Sequence, residues 1–302
     1  MKPLRLAVIG FGQVGSACSR AILASDGLSL AGIVRRPENV GTRLPEPLQK
    51  VPVVAHASDL HDLVGALICL PTDRVQEAAR HLLEHRITVV ECATLHGEAF
   101  RDHVAEIHRV AVRHKTPAII GAGWDPGVLS LFRSLFALLA PKGHTQIKYS
   151  PGVNLHHTLV ARNMRGVKNA MCADLPGPNG RDAALCLRRD RTGSRPGSDR
   201  PGGPRGSSVR WAGGVCPPVA DVAALEQEGH GVVLEWLGTS GATAHQRFLL
   251  EARFDMTALT AQVMLAAARA LPTLRPGTHS LFQVPLAALW GDLATEMEKD
   301  LL

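Results

Sequence analysis

The sequence predicts an α/β protein, in which a parallel sheet covered by helices is joined to a second, mixed α+β domain. In residues 1–123, short apolar runs alternate with helical stretches, which is the pattern of a parallel sheet with crossover helices. The first apolar run, residues 4–9, leads directly into a glycine-rich turn. After Gly127 the pattern changes to strand-like runs at 146–151, 231–236 and 247–254, which indicates an antiparallel sheet.

The glycine-rich turn predicts a Rossmann-type start to the sheet, the form that binds a dinucleotide. It follows the pattern G-x-G-x-x-G between a strand and the helical stretch 14–24. The first glycine allows the tight turn, the second lets the backbone approach a pyrophosphate, and the third lets helix and strand pack closely. The helix N-terminus then offers N–H groups to the phosphates. The cofactor-binding residues predicted here are Gly10, Phe11, Gly12, Gln13, Val14 and Gly15.

Two arginines at the end of the second strand indicate which dinucleotide binds. An NAD site uses Asp or Glu at this place to bind the ribose 2′-OH, whereas a 2′-phosphate is accommodated by Arg. The strand 28–34 is followed by Arg35 and Arg36, and the first acidic residue after it is Glu38. The sequence therefore predicts NADP.

The loops that follow the predicted strands should meet at one edge of the sheet. Further strands are expected near 51–54, 63–70, 87–92 and 118–121, with helices at 73–85 and 98–114. Ligands of open α/β sheets bind along the edge formed by the carboxyl ends of the strands. Additional cofactor contacts are therefore expected from Cys69, Leu70, Pro71, Thr72 and Cys92, although the two thiols are interpreted as packing groups rather than nucleophiles.

Two carboxylates at this edge, Glu91 and Asp125, are the candidate catalytic residues. They end adjacent predicted strands, so they could converge on one amine and relay its protons. A structural alternative remains for each residue. Glu91 could be a loop carboxylate that accepts a nearby N–H, and Asp125 could form a turn before Pro126.

Length and composition limit the remaining possibilities. The 302 residues suit a dinucleotide-binding domain at 1–123, a substrate-binding and dimerisation domain at 124–256 and a C-terminal helical segment at 257–302 that returns to the first domain. The formal charge of +6 is concentrated in 181–210, where eight Arg face three Asp without aromatic residues. We interpret 177–218 as a flexible, solvated segment and expect no nucleic-acid partner.

The cysteines and the hydropathy pattern bear on the compartment. The six cysteines show no C-x-x-C pair and no metal spacing with histidine, which is typical of a protein in a reducing compartment. No apolar stretch approaches the length that crosses a membrane. The expectation is a cytoplasmic protein without a metal and without a membrane partner.

A second motif suggests a family. The turn Gly123-Trp124-Asp125-Pro126-Gly127, together with Ser150-Pro151-Gly152-Val153 and Arg165-Gly166-Val167, resembles the meso-diaminopimelate dehydrogenases. The Arg35-Arg36 pair is similar as well. The resemblance spans most of the chain and implies an NADP-dependent oxidoreductase that reversibly deaminates an amino acid. It also implies a homodimer whose mixed second domain closes over the substrate.

The resemblance implies roles for single residues. Glu91 stands where the family has an Asp beside the reacting amino group, and Asp125 is retained with Trp124 beside it. Further substrate contacts are implied for Tyr149, which stands at a family Trp, and for Arg210 and His245, which correspond to an Arg and a His at the distal carboxylate.

Three departures from the family pattern concern substrate choice. Thr94 replaces a second family Asp, Asp174 stands at a family Thr, and Arg253 stands at a family Asn. An anionic distal carboxylate would be repelled by Asp174 unless an arginine neutralises it. The expected substrate is therefore meso-diaminopimelate or a related diamino acid.

Two alternative functions stay open at this point. The His156-His157 pair is similar to one in the dihydrodipicolinate reductases, which would make the chain an imine-type NAD(P)H reductase, but the lysine and glycine motif that follows there is missing here. The other alternative is a protein that senses NADP(H) without turnover. The presence of both Glu91 and Asp125 favours an enzyme.

Overall fold

The computed structural model describes residues 3–149, 167–176, 182–190 and 230–301. The chain divides into two compact units. The first consists of Met1–Leu135 with Thr257–Leu302, and the second of Phe136–Met256. The C-terminal residues thus belong to the same unit as the N-terminal ones.

The first unit alternates strands and helices along the chain. Its elements are β1 (Leu4–Ile9), α1 (Gln13–Leu23), β2 (Leu28–Val34), β3 (Val53–Val54), β4 (Gly65–Ile68), α2 (Thr72–Glu84), β5 (Thr88–Glu91), α3 (Gly97–Arg113), β6 (Pro117–Ile120), most of α4 (Leu129–Leu139), α5 (Met256–Ala270), β12 (Gly277–Ser280), α6 (Leu286–Trp290) and α7 (Ala294–Leu301). The predicted helices and strands of residues 1–123 are all present, with ends that differ by a few residues.

Seven of these strands form one parallel sheet in the order β12-β6-β5-β4-β1-β2-β3. This confirms the predicted parallel α/β architecture. The strand β12 lies within residues 257–302, which were predicted as a helical segment, and it was not foreseen from the sequence. Its sequence, Gly-Thr-His-Ser, has no apolar pattern, and it becomes a strand because it pairs with the exposed edge of β6.

Apolar side chains cover both faces of the sheet because successive residues of a strand point to opposite sides. Leu6 and Val8 of β1 pack on one face with residues of α1 and α5, such as Ile22 and Met264. Ala7 and Ile9 pack on the other face with residues of α2 and α3. Both faces are therefore buried, as a parallel sheet requires.

The second unit contains a three-stranded antiparallel sheet in the order β11-β10-β7, built from β7 (Lys142–Tyr149), β10 (His230–Ser240) and β11 (Thr243–Phe254). One face of β10 is apolar, and its side chains Val232, Leu234 and Trp236 are buried. The indole N–H of Trp236 donates to the carbonyl of Ala140 at 3.0 Å, which ties the strand to the end of α4. The mixed second domain with an antiparallel sheet is confirmed.

A separate hairpin in this unit pairs β8 (Val167–Pro176) with β9 (Asp182–Asp190) in antiparallel register. Residues 182–190 lie within the segment 177–218 that was predicted to be flexible, so this part of the prediction is corrected. The physical reason is local, because residues 183–187 form a short apolar run that pairs with β8, whereas the prediction weighed the composition of the whole segment.

No helix within the described ranges is long and apolar enough to cross a membrane.

Candidate active site

The carboxyl ends of the parallel strands bring five loops to one edge of the first unit. Backbone hydrogen bonds join neighbouring strands just where these loops begin. Gly10 N–H donates to Val34 O at 2.9 Å, Cys69 N–H to Ile9 O at 2.8 Å and Ala122 N–H to Glu91 O at 2.7 Å. The edge therefore holds the glycine turn, the arginine pair, the loop after β4 and both predicted catalytic residues.

The glycine turn has the space and the backbone that a pyrophosphate needs. Gly10 has a φ of 92°, and a Cβ there would lie 2.7 Å from the carbonyl oxygen of Cys69. A Cβ on Gly15 would overlap the carbonyl oxygen of Gly10, so the helix can approach the strand only with glycine at this position. The Cβ direction of Gly12, the N-cap of α1, is free of described atoms within 4 Å. A phosphate fits at this uncharged helix N-terminus.

The two arginines lie next to this turn. The guanidinium carbon of Arg35 is 5.3 Å from the ring centroid of Phe11, a cation–π arrangement that connects the arginine pair to the turn. The Arg36 side chain is 79% exposed and pairs with Glu38 at 3.4 Å. An exposed ion pair of this kind is worth little, so Arg36 can exchange Glu38 for a phosphate at small cost.

Thiols lie beneath the turn and act as packing groups. The Sγ atoms of Cys69 and Cys18 are 3.8 Å apart, and Cys69 Cβ would be 3.4 Å from a Cβ on Gly15. The hydrogen bond to Cys18, followed by burial, raises the pKa of the Cys69 thiol well above its ordinary value. Burial and then the Glu91 carboxylate raise the pKa of the Cys92 thiol. Protonated thiols are poor nucleophiles, which fits packing against the turn.

Glu91, the last residue of β5, is 0% exposed, and its carboxylate is bound inside the protein. Oε2 accepts the backbone N–H of Ala93 at 2.5 Å, and Oε1 accepts that of Gly121 at 2.9 Å. His103 Nε2 lies 3.4 Å from Oε1. This geometry differs from the direct contact with a reacting amine that was expected of Glu91. It corresponds to the structural alternative, a carboxylate that joins two loops through their amides.

Asp125 lies in a turn that packs on Gly121. Trp124–Val128 form a short π-helical turn, in which Asp125 alone is extended, with φ −136° and ψ 115°. Gly121 has a φ of 65°, and a Cβ on it would be 3.0 Å from Pro126 Cγ. Trp124 is 6% exposed and anchors the start of the turn, while Asp125 is half-buried at the sheet edge. Of the two predicted catalytic carboxylates, Asp125 is the one with a surface toward solvent.

The predicted residues of the second unit fall on its strands, and they are described within that unit. Tyr149 ends β7 opposite Val232, and Arg253 lies on β11 opposite Gly231. Both positions are therefore at the same end of the three-stranded sheet. Asp174 lies on β8 opposite Ala184, whereas Arg210 and the pair 156–157 lie outside the described residues.

The position of His245 along its strand bears on its predicted substrate contact, which stays a prediction. It lies on the same strand as Arg253 but eight residues before it, which corresponds to about 26 Å in an extended strand. The two residues therefore lie far apart along β11, and a common substrate contact for them is not tested by this structure. His230 begins β10 opposite Phe254, one register position from the pair formed by Gly231 and Arg253.

Comparisons with known proteins show which chains and structures this one is similar to. A scan against models of protein families finds no match. The chain is 31% identical to the meso-diaminopimelate D-dehydrogenase of Bacteroides fragilis over 291 residues, which are 96% of each chain. The structure of C. glutamicum DAP dehydrogenase in complex with DAP matches with a TM-score of 0.76 and 18% identity over 99% of both chains. An engineered D-amino acid dehydrogenase bound to NADP+ matches with a TM-score of 0.73 and 18% identity, over 98% of this chain and 99% of its own.

The parallel sheet, its glycine turn and the acidic turn at its carboxyl edge define a dinucleotide-dependent dehydrogenase of the Rossmann type. The chain belongs to the meso-diaminopimelate dehydrogenase family. The family suggested by the G-W-D-P-G turn and the oxidoreductase class are thereby confirmed. NADP, the cofactor predicted from Arg35 and Arg36, is the dinucleotide bound in the engineered relative.

The carboxylate of Glu91 should be sensitive to the loss of a single acceptor atom. Glu91→Gln turns one oxygen into an NH2 group that must face the N–H of Ala93 or Gly121, and a buried unsatisfied donor costs about 1–3 kcal/mol. We expect the free energy of unfolding, measured in urea, to fall by that amount. The matched control is Glu77→Gln on the exposed surface of α2, which should stay within about 0.5 kcal/mol of the wild type. Equal effects of the two changes would contradict this account of Glu91.

Proposed function

We propose that this chain catalyses the reversible, NADP-dependent oxidative deamination of an amino acid, meso-diaminopimelate or a related diamino acid, to the 2-oxo acid and ammonia. The observation that carries the proposal is the placement of Asp125 at the same sheet edge as a glycine turn that fits a dinucleotide phosphate. Membership in the family supports the reaction class. An imine-type reductase and an NADP(H) sensor have no comparable support.

Residues of the first unit account for cofactor binding. The N-terminus of α1 and the backbone around Gly12 would bind the pyrophosphate, because both offer N–H groups without a side chain in the way. Arg35 and Arg36 would bind the 2′-phosphate, since each guanidinium presents several donors. When bound, NADP+ supplies the acceptor for the hydride that leaves the α-carbon.

Asp125 is the acid–base group of the proposal. Its carboxylate would hold the substrate ammonium and take the proton that the nitrogen must lose as the α-hydrogen departs. Water then adds to the imine carbon and releases one proton to the solvent, and Asp125 gives its own proton to the nitrogen as ammonia leaves, so that one water is consumed for each ammonia released. Trp124, beside it, excludes bulk water from this proton transfer because its indole fills the start of the turn.

In this proposal Glu91 orders the loops of the active site and takes no part in the proton transfer. Its two backbone hydrogen bonds join the loop after β5 to the loop that leads into Asp125. The carboxylate thereby orders the site without touching the substrate. Cys69–Thr72 and Cys92 remain proposed neighbours of the cofactor at the same edge.

The substrate domain, the homodimer and the compartment are also proposals. The second unit would bind the distal part of the substrate through Tyr149, Asp174, Arg210 and Arg253. A homodimer is supported by the family and by exposed leucines such as Leu138 (77%) and Leu249 (56%). A cytoplasmic location is supported by free thiols at Cys18, Cys69 and Cys92.

The arginine pair should discriminate between the two dinucleotides. Charge-assisted hydrogen bonds are worth about 1.5–3 kcal/mol each. Changing Arg35 and Arg36 together to Ala should therefore weaken NADPH binding at least about tenfold and leave NADH binding nearly unchanged. Fluorescence titration measures both affinities, and Arg113→Ala at the exposed end of α3 is the control. Equal losses for the two dinucleotides would show that these arginines do not bind the 2′-phosphate.

Removal of the Asp125 charge should affect chemistry rather than cofactor binding. Asp125→Asn keeps the shape of the side chain but cannot accept the proton, so kcat/KM for deamination should fall by about two orders of magnitude. NADPH affinity should change by less than about threefold, because the glycine turn is untouched. Asp102→Asn, on the exposed surface of α3, should leave both quantities unchanged. Near-normal turnover of Asp125→Asn would refute this assignment.

The function itself is tested by a steady-state assay with NADP+ and a panel of amino acids, in which Asp174 should decide the preference. If the distal end of the substrate is cationic, Asp174 is its partner. Asp174→Thr should then gain activity on diaminopimelate and lose activity on diamino-monocarboxylates such as lysine or ornithine. Asp190→Thr, at the other end of the same hairpin, is the control. Unchanged preference would place Asp174 outside the site, and no turnover of any amino acid would refute the enzyme and leave the sensor.

A further inference from the structure

His103 is a buried polar residue on an otherwise apolar face of α3. Its side chain is 4% exposed, and the next inward-facing residues of the helix are Ile107, Val110 and Ala111. An apolar side chain at position 103 would continue this face without the desolvation cost that a buried imidazole carries. The helix pattern alone therefore does not account for a histidine here.

The contact that His103 makes is with the carboxylate at the active-site edge. Its Nε2 lies 3.4 Å from Glu91 Oε1, and an imidazole that carries its proton on Nε2 donates to this oxygen. Nδ1 has no hydrogen-bond partner among the described residues. The Glu91 contact is thus the one polar interaction that the structure records for this imidazole in the described part of the chain.

Glu91 transmits this contact to the two loops at its end of the sheet. One carboxylate oxygen accepts from Ala93, in the loop after β5, and the other accepts from Gly121, directly after β6. Because Oε1 is shared by Gly121 and His103, the orientation of the carboxylate depends on both donors. Loss of the imidazole would let the carboxylate rotate about its last bond and lengthen the bond to Gly121.

Gly121 is in turn closely packed against the turn that carries Asp125. A Cβ on Gly121 would lie 3.0 Å from Pro126 Cγ, and one on Gly127 would lie 2.6 Å from the carbonyl oxygen of Gly121. With so little free space, a shift of Gly121 must move the turn Trp124–Val128 as well. The chain of contacts runs from the imidazole through Glu91 and Gly121 to the turn.

We propose that His103 is a positioning residue of the active site, which orients Glu91 and thereby sets the place of Asp125. This inference rests on the proposed role of Asp125 as the acid–base group. His103 does not touch substrate or cofactor in it. Its effect should therefore appear in kcat rather than in cofactor affinity, since the glycine turn belongs to other strands of the sheet.

Three substitutions separate positioning from packing. His103→Leu removes the donor and keeps an apolar volume, His103→Gln keeps an N–H donor near the place of Nε2, and His103→Asn carries the same amide too short to reach it. Below the melting temperature of each variant, we expect kcat to fall at least about tenfold in the Leu and Asn variants and to stay within about threefold in the Gln variant. NADPH affinity should stay within about threefold in all three.

A double-mutant cycle tests whether the effect passes through Asp125. In the Asp125→Asn background, His103→Leu should cause no further loss of kcat, because the group that it positions is already inactive. The proposal would be overturned if the losses of kcat from the two single changes multiplied in the double mutant. It would also be overturned by a wild-type kcat in the folded His103→Leu variant, or by equal kcat values for His103→Gln and His103→Asn. If the Leu variant does not fold, the comparison of Gln with Asn carries the test.

A measurement without turnover makes the inference independent of the substrate. Hydrogen exchange of the Ala93 and Gly121 amides, followed by NMR, should accelerate at least about tenfold in the Leu and Asn variants and remain slow in the Gln variant. Unchanged exchange in all variants would overturn the proposal. If the wild-type chain deaminates no amino acid, the proposed function fails. Hydrogen exchange of the Ala93 and Gly121 amides then decides by itself whether His103 orders the loops after β5 and β6.

Discussion

The buried carboxylate of Glu91 is the interaction on which the candidate active site depends. It stands at the end of a central strand, is 0% exposed, and accepts hydrogen bonds from two loops and a helix. A buried charge is tolerable only when such donors compensate it, and the same donors are thereby held in place. The loop after β5, the loop after β6 and α3 are ordered together for this reason. The position of the turn that carries Asp125 depends on the loop after β6, because Gly121 packs closely against Pro126.

Close approach at glycines is the second constraint, and it acts on both halves of the site. Gly10 and Gly15 let α1 pack against β1 and β4, which places a helix N-terminus at the edge where a dinucleotide phosphate fits. Gly121 and Gly127 let the Asp125 turn fold back on the end of β6. Each pair leaves no room for a Cβ. The glycine-rich turn and the Asp125 turn of the first unit thus both depend on close approach at glycines.

These contacts give the two carboxylates, Glu91 and Asp125, different environments. Glu91 and Asp125 stand at adjacent strand ends and look equivalent as residues, yet one is enclosed by amide donors and the other is half-buried at the edge. Environment rather than residue type assigns the proposed roles, as it does in other enzymes with paired carboxylates. In the same way, the environment of His103 gives it its proposed role, because its recorded polar contact is with Glu91 and not with the Asp125 turn itself.

The amino-acid sequence by itself determined the parallel sheet, the dinucleotide turn and the family, because strand–helix alternation, G-x-G-x-x-G and G-W-D-P-G are local patterns with local physical causes. Tertiary structure decided what depends on distant partners. The polar segment 277–280 becomes β12 only because β6 offers an open edge, and 182–190 becomes β9 only because β8 lies opposite. Strand register likewise places Gly231 opposite Arg253 and His230 opposite Phe254. The burial of Glu91 against His103 likewise required α3 to dock on the sheet, a contact that no short-range pattern records.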